Sequence, residues 1–530
     1  MRKRPPSYRI IFNWDGTPRG YSPFPQSLDQ LLDIVYAPLV ETQVGALFWC
    51  VGTHETTWPS QTLPQLGDAE GNRFSSMKHL HRAASLRAMW QRGEDPNAVL
   101  VARGHQLGLH VFASIRMNDN HFWSDPDRRQ PPLSPAGMAA VTRPGLTQLR
   151  KDHPEWCLGA AAAPRWAATS WNMAIPEVRQ HLFDYIAEAC RAADWDGVEL
   201  DWQRHAFHLP QEDAYRLRYT LTDLQRAVRR LANEIARERG RPFWVAVRVG
   251  ATLETCHRVG YDLETWLGED LCDLVATSAN SGTDPGVEVE KYLELGKDNE
   301  IQLYPGLDSH WESGARRLIA AKPWLAAWQR GLAKGFYERG AHGIYIFNWH
   351  ATRDSHRPLL TTLGTPETLV RTNKVYAPVY RFLRDPRELR YGAERDDRLY
   401  GELPVALYPT LTAAGPIFTI TVHDDPTLEA QSSHITAVEL HVEIEAWAPA
   451  DRIAVKLDGR PLGPPTVRNL AAENPDDPSE VDENSWLVWS LSAEYAARGD
   501  HAVEICLVER DPRMPPPLVV QHVEIHIRYR

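Results

Sequence analysis

The run Asp196-Gly-Val-Glu-Leu-Asp-Trp-Gln-Arg-His205 alternates as a strand does. With a period of two, Val198, Leu200 and Trp202 face one side and Gly197, Glu199 and Asp201 the other. Burying two carboxylates on one strand face costs on the order of several kcal/mol unless they are paired, hydrogen-bonded or solvated in a cleft. A plain core strand would carry Val or Ile at those positions. The face therefore marks either a functional site or a structural ion pair, for which Arg204 is a nearby partner.

Outward from this run, strand-like and helical segments take turns. Short apolar runs at 8–14, 45–51, 108–116, 243–249, 271–278, 301–308 and 343–350 join it to make eight strands. Between them lies helical sequence at 31–37, at 77–107 with a break at Asp95-Pro96, and at 171–193, 211–240, 261–269, 287–295 and 317–340. Polar and charged residues gather after the strands, not before them, which is where a (β/α)8 TIM barrel builds its site. A doubly wound open sheet would alternate similarly, but no Gly-rich phosphate loop follows any strand. Two long polar segments, 52–76 and 124–170, read as a functional or mobile loop and as an insertion over the barrel mouth. From about residue 403 the pattern changes to strands at 417–422, 437–444, 452–457, 485–491, 502–508 and 519–527, the signature of an all-β sandwich. This gives a barrel over 1–385 whose last helix spans 374–383, a linker over 386–402, and a β-sandwich accessory domain over 403–530.

Composition narrows the function. A net charge of −11 argues against nucleic-acid and anionic-membrane partners, which need a basic surface. With no apolar leader after Met1 and no membrane-length apolar run, the expectation is a soluble, cytoplasmic protein. Six scattered Cys without a C-x-x-C pair read as buried thiols in a reducing compartment. The chain holds 19 Trp and 18 Tyr against 13 Phe, a bias that suits stacking on sugar rings and suits ordinary packing equally.

At Ala113-Ser-Ile-Arg-Met-Asn-Asp-Asn-His121 and across 196–205 the sequence resembles the bacterial family-10-like glycosyl hydrolases, barrel glycosidases often followed by a β domain. The likeness spans roughly 8–385 and implies hydrolysis of a carbohydrate, with no cofactor. Locally the fourth strand is similar to two other barrel patterns. Chitinase-like barrels read Asp-Gly-x-Asp-x-Asp-x-Glu there, and Gln203 stands where the final acid belongs. Amylase-like barrels read Asp-Gly-x-Arg-x-Asp-x-x-x-His, which implies Asp201 as nucleophile and His205 beside the sugar, with Glu199 in place of the orienting Arg. Arg204, Arg116 or Arg248 would have to compensate.

Glycoside hydrolysis needs one carboxyl to protonate the leaving oxygen and one to attack or activate water. Glu199 and Asp201 share a strand, so the expectation is Asp201 as nucleophile or base, with Asp308 after strand seven, roughly across the barrel, or Glu199 as the acid. Asp119, Glu254 and Asp284 are further candidates for the partner, and Asp308 could equally be a turn former. Arg116, Asn118, Asp119, His121, Arg204, His205, Arg248, Asn280, Asn348 and His350 are expected to hold sugar hydroxyls, although Asn118 and Asp119 could instead cap a helix. Trp49 and Trp202, with Trp123 and Trp349, fall near strand ends as stacking platforms or as core. Two readings compete. A metal-dependent hydrolase would converge His54, His121, His205 and His350 on Asp201, yet the chain has no H-E-x-x-H. A barrel that binds sugar without cleaving it would follow from Gln203.

Overall fold

In the computed structural model, the residues described are 3–14, 24–52, 54–74, 76–120, 122, 133–163, 167–278, 283–308, 323–349, 357–378, 402–468, 484–515 and 517–530. Eight parallel strands close into a barrel in chain order: β1 (Ile10–Trp14), β2 (Val44–Gly52), β3 (His110–Arg116), β4 (Gly197–Asp201), β5 (Trp244–Val249), β6 (Leu274–Thr277), β7 (Gln302–Asp308) and β8 (Ile344–Phe347). The (β/α)8 fold expected from the alternation is the one observed.

Local chemistry explains the helices between the strands. The Leu28–Tyr36 helix opens on a capping box, with Ser27 and Gln30 bonding each other's backbone N–H. At Asp95-Pro96 the helical run splits into Met77–Gln91 and Pro96–Gln106, because Asp95 accepts from Ala98 N and Pro96 supplies the first-turn φ. The long Ala214–Arg239 helix stops at Gly240, whose φ of 64° is the left-handed cap.

Parity along each strand divides the core. Phe12, Leu47, Val198, Leu200 and Val247 pack outward against the helices. Ile11, Phe48, Phe112, Trp244, Tyr304 and Tyr345 fill the interior. Gly197 is small because Phe112 occupies its space: a Cβ there would lie 2.4 Å from that ring. This aromatic packing at the level of Gly197 leaves the next inward positions of β4, Glu199 and Asp201, stacked above it toward the C-terminal end.

The loop at 52–76 proves to be folded and pinned. Glu55 accepts N–H groups from Gly67, Ala69 and Gly145, and Trp58 packs against Tyr185 while bonding Glu188. Within 124–170, the described part forms short turns at Pro135–Ala140, Gln148–Asp152 and Pro154–Trp156.

The C-terminal part packs two antiparallel sheets face to face. Its strands are β9 (Lys374–Tyr376), β10 (Val405–Leu407), β11 (Ile417–Val422), β12 (Ile435–Glu445), β13 (Arg452–Leu457), β14 (Arg460–Pro461), β15 (Thr466–Arg468), β16 (Asn484–Leu491), β17 (Gly499–Glu509) and β18 (Leu518–Tyr529). One sheet runs β10-β18-β12-β16-β15 with β9 added beside β18, and the other β11-β17-β13-β14. The expected helix at 374–383 is corrected at its start: residues 374–376 form β9, because Lys374 to Tyr376 find a ladder partner in Ile525 to Ile527. Pairing with a strand about 150 positions later is a non-local choice that local propensity does not report. All six Cys are buried and none forms a disulfide. Among the described residues no helix is long and apolar enough to cross a membrane.

Candidate functional site

The two β4 carboxylates occupy successive layers of the barrel interior, and each is held by different strands. Glu199, 0% exposed, accepts from Ser114 Oγ on β3 at 2.5 Å, Asn13 Nδ2 on β1 at 3.0 Å and Tyr345 OH on β8 at 2.7 Å. Tyr345 reaches it from the strand that closed eightfold order places opposite β4, which is β8 and not β7. Asp201, 1% exposed, takes a two-pronged ion pair from Arg248 on β5: Nε to Oδ1 at 2.8 Å and Nη2 to Oδ2 at 3.1 Å. The backbone N–H of Arg204 also donates to Oδ1, at 2.9 Å. Arg248 compensates for the Arg missing from position 199, because Asp201 and Arg248 are direct partners in the β4–β5 register. Its guanidinium also donates to Ser278 Oγ at 2.5 Å and lies 4.0 Å from the Phe347 ring centre.

Around this pair stand residues from several strand ends. Arg116, level with Asp201 on β3, bonds Asp119 at 3.0 Å. His205 adopts a left-handed backbone, φ 54°, and its Nδ1 accepts from Asn120 N at 3.1 Å, so the neutral ring carries its proton on Nε2. Asp308 closes β7 on the inward parity and is 2% exposed, with Asn348 Nδ2 donating to Oδ2 at 2.9 Å.

Several expectations need correction. Trp202 is core: it packs among His208, Tyr261 and Trp266 outside the barrel, since the parity that turns Asp201 inward turns Trp202 outward. Trp49 and Trp349 belong to the same outer core. Asn118 is buried and spends its side chain on the backbone of Trp171 and Phe207, tying two loops together instead of facing a ligand. Glu254 pairs with Arg258 on a short surface helix, and Asp284 accepts from Gly286 N in a turn. His121, Trp123, Asn280 and His350 lie outside the described residues. Among the described residues no group of three or more His, Cys, Asp and Glu is placed to hold a metal. His54 bonds the Asp119 carbonyl through Nε2, and burial lowers its pKa to about 3. Ser114, Asn13, Tyr345 and Ser278 went unread in the sequence, although inward parity on β1, β3 and β8 would have exposed the first three.

Burial first, and then the Asp201 charge, raise the Glu199 pKa from 4.5 to about 7, against the pull of Ser114, Tyr345 and Arg248. The folded state therefore favours the neutral acid. That contribution is complete below about pH 4.5 and is lost as the pH rises through about 7, roughly 3 kcal/mol in all. The stability of Glu199→Gln should lack this fall. Thermal unfolding of both proteins across pH 5 to 8 checks it: the wild-type Tm drops relative to the variant, whereas parallel curves would mean that Glu199 ionises as it does in the unfolded chain.

No protein-family profile matches the chain, and no curated protein matches it by sequence. Among solved structures it is similar to a cycloisomaltooligosaccharide glucanotransferase from Paenibacillus sp., at 9% identity and TM-score 0.32 over 97% of this chain and 57% of that one. A family 36 α-galactosidase variant from Geobacillus stearothermophilus aligns at 12% identity and TM-score 0.35 over 98% and 55%. The chain thus spans little more than half the length of these two proteins. A family 18 N-acetylglucosaminidase from Paenibacillus barengoltzii aligns at 12% identity and TM-score 0.35, over 68% of this chain and 100% of the other.

Proposed function

We propose that the barrel is a glycoside hydrolase that cleaves an oligo- or polysaccharide by a two-carboxylate mechanism at its C-terminal face. One observation carries the reading: Asp201 is clamped by the Arg248 fork on an inward position, and among the described residues its Oδ2 accepts a single hydrogen bond. A scaffold carboxylate needs only its charge neutralised. This one is also oriented by a third donor, Arg204 N, and retains a lone pair, as a nucleophile or base requires. Asp308, held by Asn348 at the end of β7, supplies the proton to the leaving oxygen. Glu199 is the buried tuner, neutral through mildly acidic pH so that Asp201 carries the only negative charge of the β4 pair. Arg116, Asp119, Arg204, His205 and Asn348 position hydroxyls from the rim, and His121, Asn280 and His350 belong to the same proposed set on sequence grounds. The antiparallel sheets over 403–530 act as an accessory domain.

A non-cleaving sugar-binding barrel is the second reading, favoured by the low exposure of Asp201. Product release from a panel of glycans and aryl glycosides separates the two. The hydrolase releases reducing ends, and Asp308→Asn lowers kcat by about 10²–10⁴-fold on natural glycosides but far less on aryl glycosides, whose leaving group needs no proton. Binding without product across the panel would establish the second reading.

A further inference from the structure

The outer face of the six-stranded sheet is built of charge. On β12 the alternation sends Val438, Leu440, Val442 and Ile444 into the sandwich core, and Glu439, His441 and Glu443 away from it. On β18, Glu524, His526 and Arg528 take the same outer side. A sheet face turned from its own core is ordinarily wet, yet His441, Glu443, Glu524 and His526 are all buried. Three of them, His441, Glu524 and His526, look into a cavity of about 350 Å³ closed on its far side by the Pro323–Glu338 helix and shaped partly by Trp486.

The cavity wall carries a stacked histidine pair and a buried carboxylate. The His441 and His526 rings stack at 3.8 Å and 9°, with Nε2 of each bonded to a carboxylate, at Glu439 and Glu524 respectively. Glu524 gives only Oε2 to His526. Among the described residues its Oε1 has no hydrogen-bond donor, although the side chain is 1% exposed. A buried acceptor of this kind is ordinarily satisfied by a donor. On the opposite wall, Arg330 uses Nε on the Asn373 carbonyl, and burial holds its guanidinium below the usual arginine range. Arg528 lines the cavity from the sheet wall, with Nη2 on Glu439.

We infer that this cavity binds a uronic acid of monosaccharide size. A hydroxyl donates to Glu524 Oε1, the carboxylate faces Arg330 and Arg528, and the ring lies against Trp486. The planar guanidinium fork matches a carboxylate. The volume sits at the lower end of small-ligand sites, room for one ring and its substituents. Among the described residues none of the barrel site lines the cavity, so the inference stands apart from the hydrolytic reading.

Calorimetric titration of the full chain with D-glucuronate and D-galacturonate, against D-glucose and acetate, tests it. One uronate binds saturably and shifts Trp fluorescence, while glucose and acetate bind at least about tenfold more weakly, the loss of one charge-assisted hydrogen bond. Glu524→Gln and Arg330→Met, on opposite walls, each weaken binding by about tenfold or more, and Asp201→Asn leaves it unchanged. Absence of saturable binding up to about 50 mM, or binding that survives both wall substitutions, overturns the inference.

Discussion

Arg248→Met should lower the unfolding free energy by about 3–5 kcal/mol and abolish turnover, because it strands the Asp201 carboxylate inside the barrel without its partner. The pair is buried, with side-chain exposures of 0% and 1%, so water replaces the guanidinium poorly. Arg248 also bonds Ser278 and faces the Phe347 ring, and the loss extends to β6 and β8. Arg248→Lys should recover part of the stability, since it returns a charge, but little of the rate, since an ammonium cannot hold both carboxylate oxygens in one plane. Denaturant unfolding with steady-state rates on the same preparations checks both halves. A loss under about 1 kcal/mol would show that Asp201 is solvated and the clamp dispensable.

Much of this arrangement is legible in ten residues. The alternation of 196–205 places Glu199 and Asp201 on one face, and eight such segments with polar C-terminal ends count out the barrel. The same parity sends Trp202 outward, and Phe48 inward with Trp49 outward, so expecting those Trp residues at the site set nearness to a strand end above periodicity. Which arginine pairs with Asp201 was not legible: 116, 204 and 248 are equivalent along the chain, and only the β4–β5 register selects Arg248. Tyr345 reaching Glu199 is likewise a property of closure, since the two strands meet only across the barrel interior. The β9 residues follow the same rule, reading as helix locally and pairing as strand because β18 offers an edge.

The second large effect concerns Asp201 itself. Asn at this position keeps an oxygen for Arg204 N and Arg248 Nε but turns an amide N–H toward Arg248 Nη2, so some stability is lost as well. A domain with an ordinary reserve of 5–15 kcal/mol remains folded at 25 °C through a loss of a few kcal/mol, so the rate per folded molecule can be read directly. A reacting carboxylate and a structural one then separate cleanly. Removing the former costs on the order of 10⁴-fold or more in kcat, whereas removing the latter scales activity only with the folded fraction. The deciding measurement is kcat for Asp201→Asn on the best glycan substrate, with the folded fraction taken from circular dichroism and substrate affinity from calorimetry. The account predicts a folded protein that still binds that substrate and turns it over at least about 10⁴-fold more slowly than wild type. A folded variant within about tenfold of the wild-type kcat would contradict it.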